Sequence, residues 1–258
     1  MARSYGPMKM RGSMGETSFK RLGNKNIAYD KVVVSESKRK FHKDFQSTRD
    51  NASELGNASA AAKLLRISMG TWLNFAQDSK MKNRLLAEMM KVLKKDTVST
   101  NGRQIVRSEN LPHLLGFNFN EKVRLRVAFN VRYKTSINRE TGELTINIYP
   151  FKPVSAIRGP QYATHFKIVS SAMEIDLMNP DHIHSKVEKH DNKISDSIAI
   201  NSSVADQLTI VHKLTPGSTA VLFIVLGLQF IDERGYYYAS KEQKQVVNSL
   251  SLVDLQIS

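Results

Sequence analysis

Cysteine is absent from the 258 residues of this chain, which removes disulfide staples, thiolate zinc ligands and thiol nucleophiles from consideration. Long hydrophobic runs are missing too. The longest, AVLFIVLGLQF at 220–230, has 11 residues, against the ~20 that a membrane-spanning helix requires. The opening MARSYGPMKMRGSMGETSFKR carries positive charge but no apolar h-region, so no secretory leader is read there and a cytoplasmic location is expected. Neither G-x-G-x-x-G nor G-x-x-x-x-G-K-[ST] occurs, and neither does G-x-S-x-G or H-E-x-x-H; Gly12 and Gly15 amount only to G-x-x-G, a weak signal. No catalytic residue or cofactor is assigned, and the chain is expected to be non-enzymatic.

Positive charge is abundant and unevenly spread. Lys and Arg number 38 against 24 Asp and Glu, a formal net charge of +14. Residues 1–50, 51–100 and 101–150 carry +7, +4 and +4, whereas residues 151–258 carry −1. Such asymmetry suits a chain whose one end meets an acidic surface: nucleic acid, an anionic membrane face or a neighbouring subunit. A hydrophobic content of 41% over this length is enough for a substantial core.

The patterning divides the chain in three, and the expected fold class is α+β. Residues 1–49 form a basic arm, in which TSFKRL (17–22) and IAYDKVVV (27–34) flank the turn-like GNKN and predict a β-hairpin. Gly12 and Gly15 bracket a point where the backbone needs positive φ or a close approach. Residues 50–96 predict a helical pair. The first helix starts near Asp50 or Asn51 and runs to about Ser68; the second, capped by Asp78 or Ser79, has Met81, Leu85, Met89 and Leu93 on one face. TVSTNGRQ (97–104) reads as a linker. Residues 97–258 predict an antiparallel β-sandwich, Ig-like or similar. VRLRVAFNVRYK and LTINIYPF alternate as a hairpin about Gly142, further strands are THFKIVSSAMEIDL, SIAINS, DQLTIVHKL and SLVDLQIS, and AVLFIVLG is the strand buried on both faces.

Three groups of residues carry candidate chemistry. DHIHSKVEKHD offers Asp181, His182, His184, His190 and Asp191; His182 and His184 are weak metal candidates, since the segment follows Asn179-Pro180 in what reads as a polar loop. The arm interleaves Lys9, Arg11, Lys20, Arg21, Lys25, Lys31, Lys38, Arg39, Lys40 and Lys43 with Phe19, Tyr29 and Phe41. That pattern suits phosphate neutralisation with base stacking, and equally a tether lying across an acidic neighbour. In the first helix Ala52, Gly56 and Ala60 recur every four residues, a stripe that lets another backbone come close, from this chain or from another copy.

RGSMGETSF (11–19) and STRDNASELGNASAAAKLLR (47–66) resemble the opening of an uncharacterised family of basic proteins of Bacteroidetes-type bacteria. That family has a G-x-x-G-x-x-S-F element followed by T-R-E-N-x-x-E-F-G-x-A-x-x-A-G-K-L-L-R. Gly12, Gly15, Ser18 and Phe19 match the first; Thr48, Arg49, Asn51, Glu54, Gly56, Ala58, Ala61, Lys63, Leu64, Leu65 and Arg66 match the second, with Asp50, Leu55 and Ala62 as mild departures. The resemblance brings no activity; it implies that the signature lies in the arm and the small-residue helix. A self-associating structural protein is therefore expected. Gly12, Gly15, Phe19, Ala52, Gly56 and Ala60 would lie at the homo-oligomer interface, and Lys9, Arg11, Lys20, Arg21, Lys38, Arg39, Lys40, Arg49, Lys63 and Arg66 would contact phosphates or acidic surface. DNA or RNA binding through the first 150 residues is the alternative.

Overall fold

A computed structural model describes residues 2–4, 12–23, 25–31, 33–70, 72–176, 187–232, 239–240, 245–246 and 248–257. The chain is mixed α/β with antiparallel sheets, in two compact units, residues 1–49 and 50–258.

In the first unit β1 (Ala2–Ser4), β2 (Gly12–Met14), β3 (Thr17–Leu22) and β4 (Lys25–Asp30) form one sheet in the order β1-β4-β3-β2. The expected hairpin is β3–β4, with Leu22 opposite Lys25, so Lys25 and Asn26 of GNKN are strand rather than turn. Gly23 takes φ 59°, the left-handed value that a two-residue hairpin loop demands. A short helix, α1 (Glu36–Phe41), follows; the Ser35 hydroxyl accepts from the Lys38 N–H at 3.3 Å and caps it.

Helices follow, the first of them running across the boundary between the units. α2 (Gln46–Ser68) begins four residues before the expected Asp50, because QST carries no apolar periodicity that marks it as helical. Its C-terminal half buries Ala58, Ala61, Ala62, Leu64 and Leu65. α3 (Trp72–Ala76) is brief, and α4 (Met81–Leu93) buries Met81, Leu85, Met89, Val92 and Leu93 on the expected face. These residues share one core cluster with Val169, Met173, Phe223 and Leu250, so the helices and the β-section lie in a single unit. TVSTNGRQ is an ordered loop rather than a linker. The Asp96 carboxylate accepts from the N–H groups of Val98, Ser99 and Ile105 at 3.0–3.1 Å and from Arg107 Nε at 2.7 Å, while Glu54 of α2 accepts from the Gly102 N–H at 3.0 Å.

VRLRVAFNVRYK departs from the expected strand. Asn118 Oδ1 accepts from the Leu125 N–H at 3.0 Å, and residues Leu125–Ala128 coil into one turn, α5. Strand begins only at β5 (Tyr133–Asn138), which pairs with β6 (Glu143–Ile148) across Gly142. α6 (Pro153–Ala156) leads to β7 (His165–Ile175). The segment read as a polar loop contains β8 (Val187–Ile194), which is polar because it is the outer strand beside β7. β9 (Ile198–Ala199), β10 (Leu208–Lys213), β11 (Val221–Ile231), β12 (Ala239–Ser240), β13 (Gln245–Val246) and β14 (Ser249–Gln256) complete the chain.

One sheet runs β14-β11-β7-β8, with β9 also on β7; another runs β10-β6-β5, and β12 pairs with β13. Every residue of β11 is buried, as the unbroken apolar run requires. Its side chains alternate. Val221, Phe223 and Val225 join the helices, while Leu222, Ile224, Leu226, Leu228 and Phe230 join Leu144, Ile146 and Ile148 of β6 and Ile210 of β10. At Gly227 an added Cβ would lie 2.2 Å from the Ser249 carbonyl oxygen of β14. Gly227→Ala therefore forces β11 and β14 apart and should lower stability by roughly 1–3 kcal/mol, read as a reduced urea midpoint with an unchanged m-value.

Candidate functional site

The residues expected at an assembly surface fall in both units. Gly12 (φ 107°) stands in β2 opposite half-buried Phe19, and Gly15 (φ 58°) makes the β2–β3 turn. On α2, Ala52 and Gly56 are exposed and Ala60 is half-buried; a Cβ on Gly56 would meet no atom within 4 Å. The stripe thus lies on the outer side of the helix, away from the face that packs on the core.

Among the basic candidates Lys20, Arg21, Lys38, Arg39, Lys40 and Lys63 are exposed, with Lys40 held by Glu36 at 2.7 Å. Arg49 is not an outward contact. Its guanidinium donates to the carbonyls of Arg39 and His42 at 2.8 and 3.0 Å and to Gln46 at 2.6 Å, closing the chain turn ahead of α2. Arg66 is half-buried and donates to the Ala62 carbonyl at 3.3 Å. Lys9 and Arg11, like Asp181, His182 and His184, lie outside the described residues. His190 and Asp191 sit on β8, and no group of three metal-ligating side chains occurs among the described residues.

A cationic surface absent from these expectations forms around residues 116–130. This segment is zipped along β14. Gly116 and Phe119 donate N–H groups to the carbonyls of Leu252 and Leu250 at 2.8 and 2.9 Å, and Leu252 returns one to Phe117 at 3.0 Å. Arg84 of α4 clamps it from the other side. It donates to Asp78 at 2.5 Å, to the Asn118 carbonyl at 2.8 Å and to Glu121 at 3.3 Å, and its guanidinium lies 5.2 Å from the centre of the Phe117 ring. Burial raises the Asp78 pKa, but hydrogen bonds from the Glu121 and Lys80 N–H groups and from Arg84 outweigh it and hold the carboxyl below its usual range. Beyond α5, Arg158 donates its N–H to the Ala128 carbonyl at 2.9 Å, which brings residues 158–160 beside this segment.

Three clefts open here, of about 500, 440 and 660 Å³, and Arg124 borders all of them. Arg84, Lys122, Arg126 and Arg158 line one or another, against the acids Glu88 and Glu121. Arg124 is paired with Glu121. Arg124 and Arg126 were visible in sequence only as the outward residues of a supposed strand; Arg84 and Arg158 stand 40 and 34 positions away from Arg124, and no local pattern joins them.

The second constellation is buried. Ser170 Oγ and His212 Nε2 are 2.6 Å apart, and His212 Nδ1 lies 3.5 Å from Asp191 Oδ2 without hydrogen-bond geometry. The order Ser–His–Asp matches that of a hydrolytic triad. Yet Ser170 and His212 are 1% and 0% exposed, Ser170 is paired with Leu226 of β11 and Lys193 of β8, and neither lines any of the three clefts. The chemistry available to this group is structural, a polar tie between β10 and β7.

No protein-family model matches the chain, and no curated protein matches it at a significant level.

Burial lowers the His212 pKa, more than Asp191 raises it. A depressed folded pKa means that below about 6.5 the unfolded chain binds the proton first. The stability contributed by neutral His212 is therefore complete above that pH and lost as pH falls below it. Urea midpoints should drop between about pH 7.5 and 5.5, and His212→Gln, less stable throughout, should flatten that step. At Asp96 burial raises the pKa, but hydrogen bonds from Ser99, Arg107 and Ile105 prevail and hold it far below the usual carboxylate range. Its contribution is present above about pH 3.9 and lost below it. Asp96→Asn should remove roughly 2–4 kcal/mol at pH 7, measured by the same unfolding curves.

Proposed function

We propose that this chain is a non-enzymatic, self-associating structural protein whose basic N-terminal arm and small-residue helix contact neighbouring copies. One observation carries the reading: the described part of the N-terminal unit buries no apolar side chain. Among the described residues of 12–49 no hydrophobic side chain is buried, while Met14, Leu22, Val33 and Phe41 are 67%, 62%, 80% and 82% exposed. A sheet of this size needs an apolar face covered before it is stable, and β1 and β2 are outer strands available for pairing. Support also comes from α2, whose outer side offers Ala52 and Gly56 next to exposed Leu55 and, three turns further on, exposed Ile67. Exchange of a terminal element between copies is a low-cost route to assembly.

In this reading the second unit is the scaffold, with its five-stranded and three-stranded sheets facing each other as a β-sandwich. Membership of the basic Bacteroidetes-type family belongs to the same proposal, because the shared signature falls on β2, β3 and α2. Among the described residues no helix is long and apolar enough to cross a membrane.

A second reading, nucleic-acid binding through the basic first 150 residues, is favoured by the clefts that meet at Arg124. The structural reading is tested by mass in solution. The full chain should form a defined oligomer, and Leu22→Glu with Phe41→Glu should shift it towards monomer without changing the unfolding of residues 50–258. A full chain that stays monomeric at high concentration while residues 12–45 resist proteolysis would overturn it.

A further inference from the structure

We infer that the clefts meeting at Arg124 form a binding site for single-stranded nucleic acid, an inference that rests on the second reading above and moves its centre from the N-terminal arm to residues 84–160. The cations at these clefts differ in how they are engaged. Arg84 is committed to Asp78, Glu121 and the Asn118 carbonyl, and Arg124 to Glu121. Lys122, Arg126 and Arg158 are exposed, and among the described residues their side chains make no hydrogen bond or ion pair. The surface therefore holds three positive charges outside any ion pair among the described residues, on two separate stretches of chain fixed relative to one another by the hydrogen bond from the Arg158 N–H to the Ala128 carbonyl and by the Phe129–Ile157 bridge. Repeated phosphates, rather than one isolated anion, match charges distributed in this way.

Apolar and aromatic side chains sit between the cations, most densely in the first cleft. Val123, Val127, Ala128 and Pro160 line the 500 Å³ cleft that also holds Lys122, Arg124 and Arg158. Half-buried Phe117 and Tyr133 line the other two, Tyr133 backed by Phe129 at 6.5 Å between ring centres. Apolar and aromatic walls set among phosphate-neutralising cations are what unstacked bases need. A duplex keeps its bases stacked inside and offers such walls nothing, and an acidic peptide has no flat apolar ring to place against them at each charge.

The test is fluorescence anisotropy with the full chain and a labelled single-stranded oligonucleotide of about 15 bases, as DNA and as RNA, at the upper end of the ~4–16-base sites typical of such surfaces. Salt titrations are run on three proteins: wild type, the triple variant Lys122→Ala, Arg126→Ala and Arg158→Ala, and an arm variant Lys38→Ala, Arg39→Ala and Lys40→Ala. Thermal unfolding checks that both variants fold. The triple variant should weaken binding at least roughly tenfold and reduce the slope of log affinity against log salt by about 2, close to 0.7 per lost contact, while the arm variant stays within about twofold of wild type. Equal binding by wild type and the triple variant, with loss in the arm variant, would sink the cleft assignment and leave nucleic-acid binding on the arm. An absence of binding by wild type at low salt would overturn both. Displacement of the oligonucleotide by poly-glutamate more readily than by unlabelled single strand would overturn the inference in favour of an acidic protein partner.

Discussion

The structure depends on the burial of β11 on both faces. Nine of its eleven side chains are apolar, and it pairs along its length with β7 and over most of it with β14. Fixing each residue of a strand costs about 1–2 kcal/mol of backbone entropy, and each fully buried Leu, Ile, Val or Phe returns about 1.5–3 kcal/mol. A strand with one apolar face recovers that cost at half its positions, whereas β11 recovers it at nearly all of them. Because its alternate side chains belong to different clusters, the strand also joins the helical layer to β6 and β10. Gly227 marks the limit of this packing, where β14 approaches too closely for any side chain.

Polar groups inside the second unit set register where apolar contacts cannot. His212 and Ser170 tie β10 to β7, Asn248 Oδ1 accepts from the Phe230 N–H at 2.9 Å, and Arg139 donates to the carbonyls of Ala220 and Gln256 at 2.8 and 3.0 Å. Each bond adds little net stability but is costly to lose, since the partner left behind is buried and unpaired. Asp96 acts similarly at the rim, ordering the loop that joins α4 to the 108–114 turn. In the first unit the described residues bury no apolar side chain; Ser18 is buried, and Phe19, Ile27 and Ala28 are half-buried.

Much of the architecture was legible in local pattern. Alternation and turn residues marked β6, β7, β10, β11 and β14, the four-residue repeat marked α4, and Gly23 lies where TSFKRL and IAYD are joined. Pattern failed in three places for identifiable reasons. The alternation of VRLRVAF was real, but the Asn118 side chain captures the Leu125 N–H and turns the chain into α5. KVEKHDN looked like loop because an outer strand need not carry apolar residues. QST hid the first turn of α2 because exposed helix has no apolar stripe. Of the candidate site residues, Arg49 illustrates the limit: a basic residue in a basic run reads as a surface contact, yet its guanidinium donates to the backbone carbonyls of Arg39 and His42 and to the Gln46 side chain beside it.

By itself the sequence determined the absence of thiol chemistry, the positive field over residues 1–150, the central buried strand and the apolar face of α4. These follow from composition and short-range periodicity, which report what each segment buries. Only tertiary structure decided that Arg84, Arg124 and Arg158 converge on neighbouring clefts, that the Ala52–Gly56 side of α2 faces outward, and that Ser170 and His212 meet inside with half-buried Asp191 at their edge. Such groupings depend on strand register and on hydrogen bonds between segments tens of residues apart, and the chain's local chemistry carries no record of them.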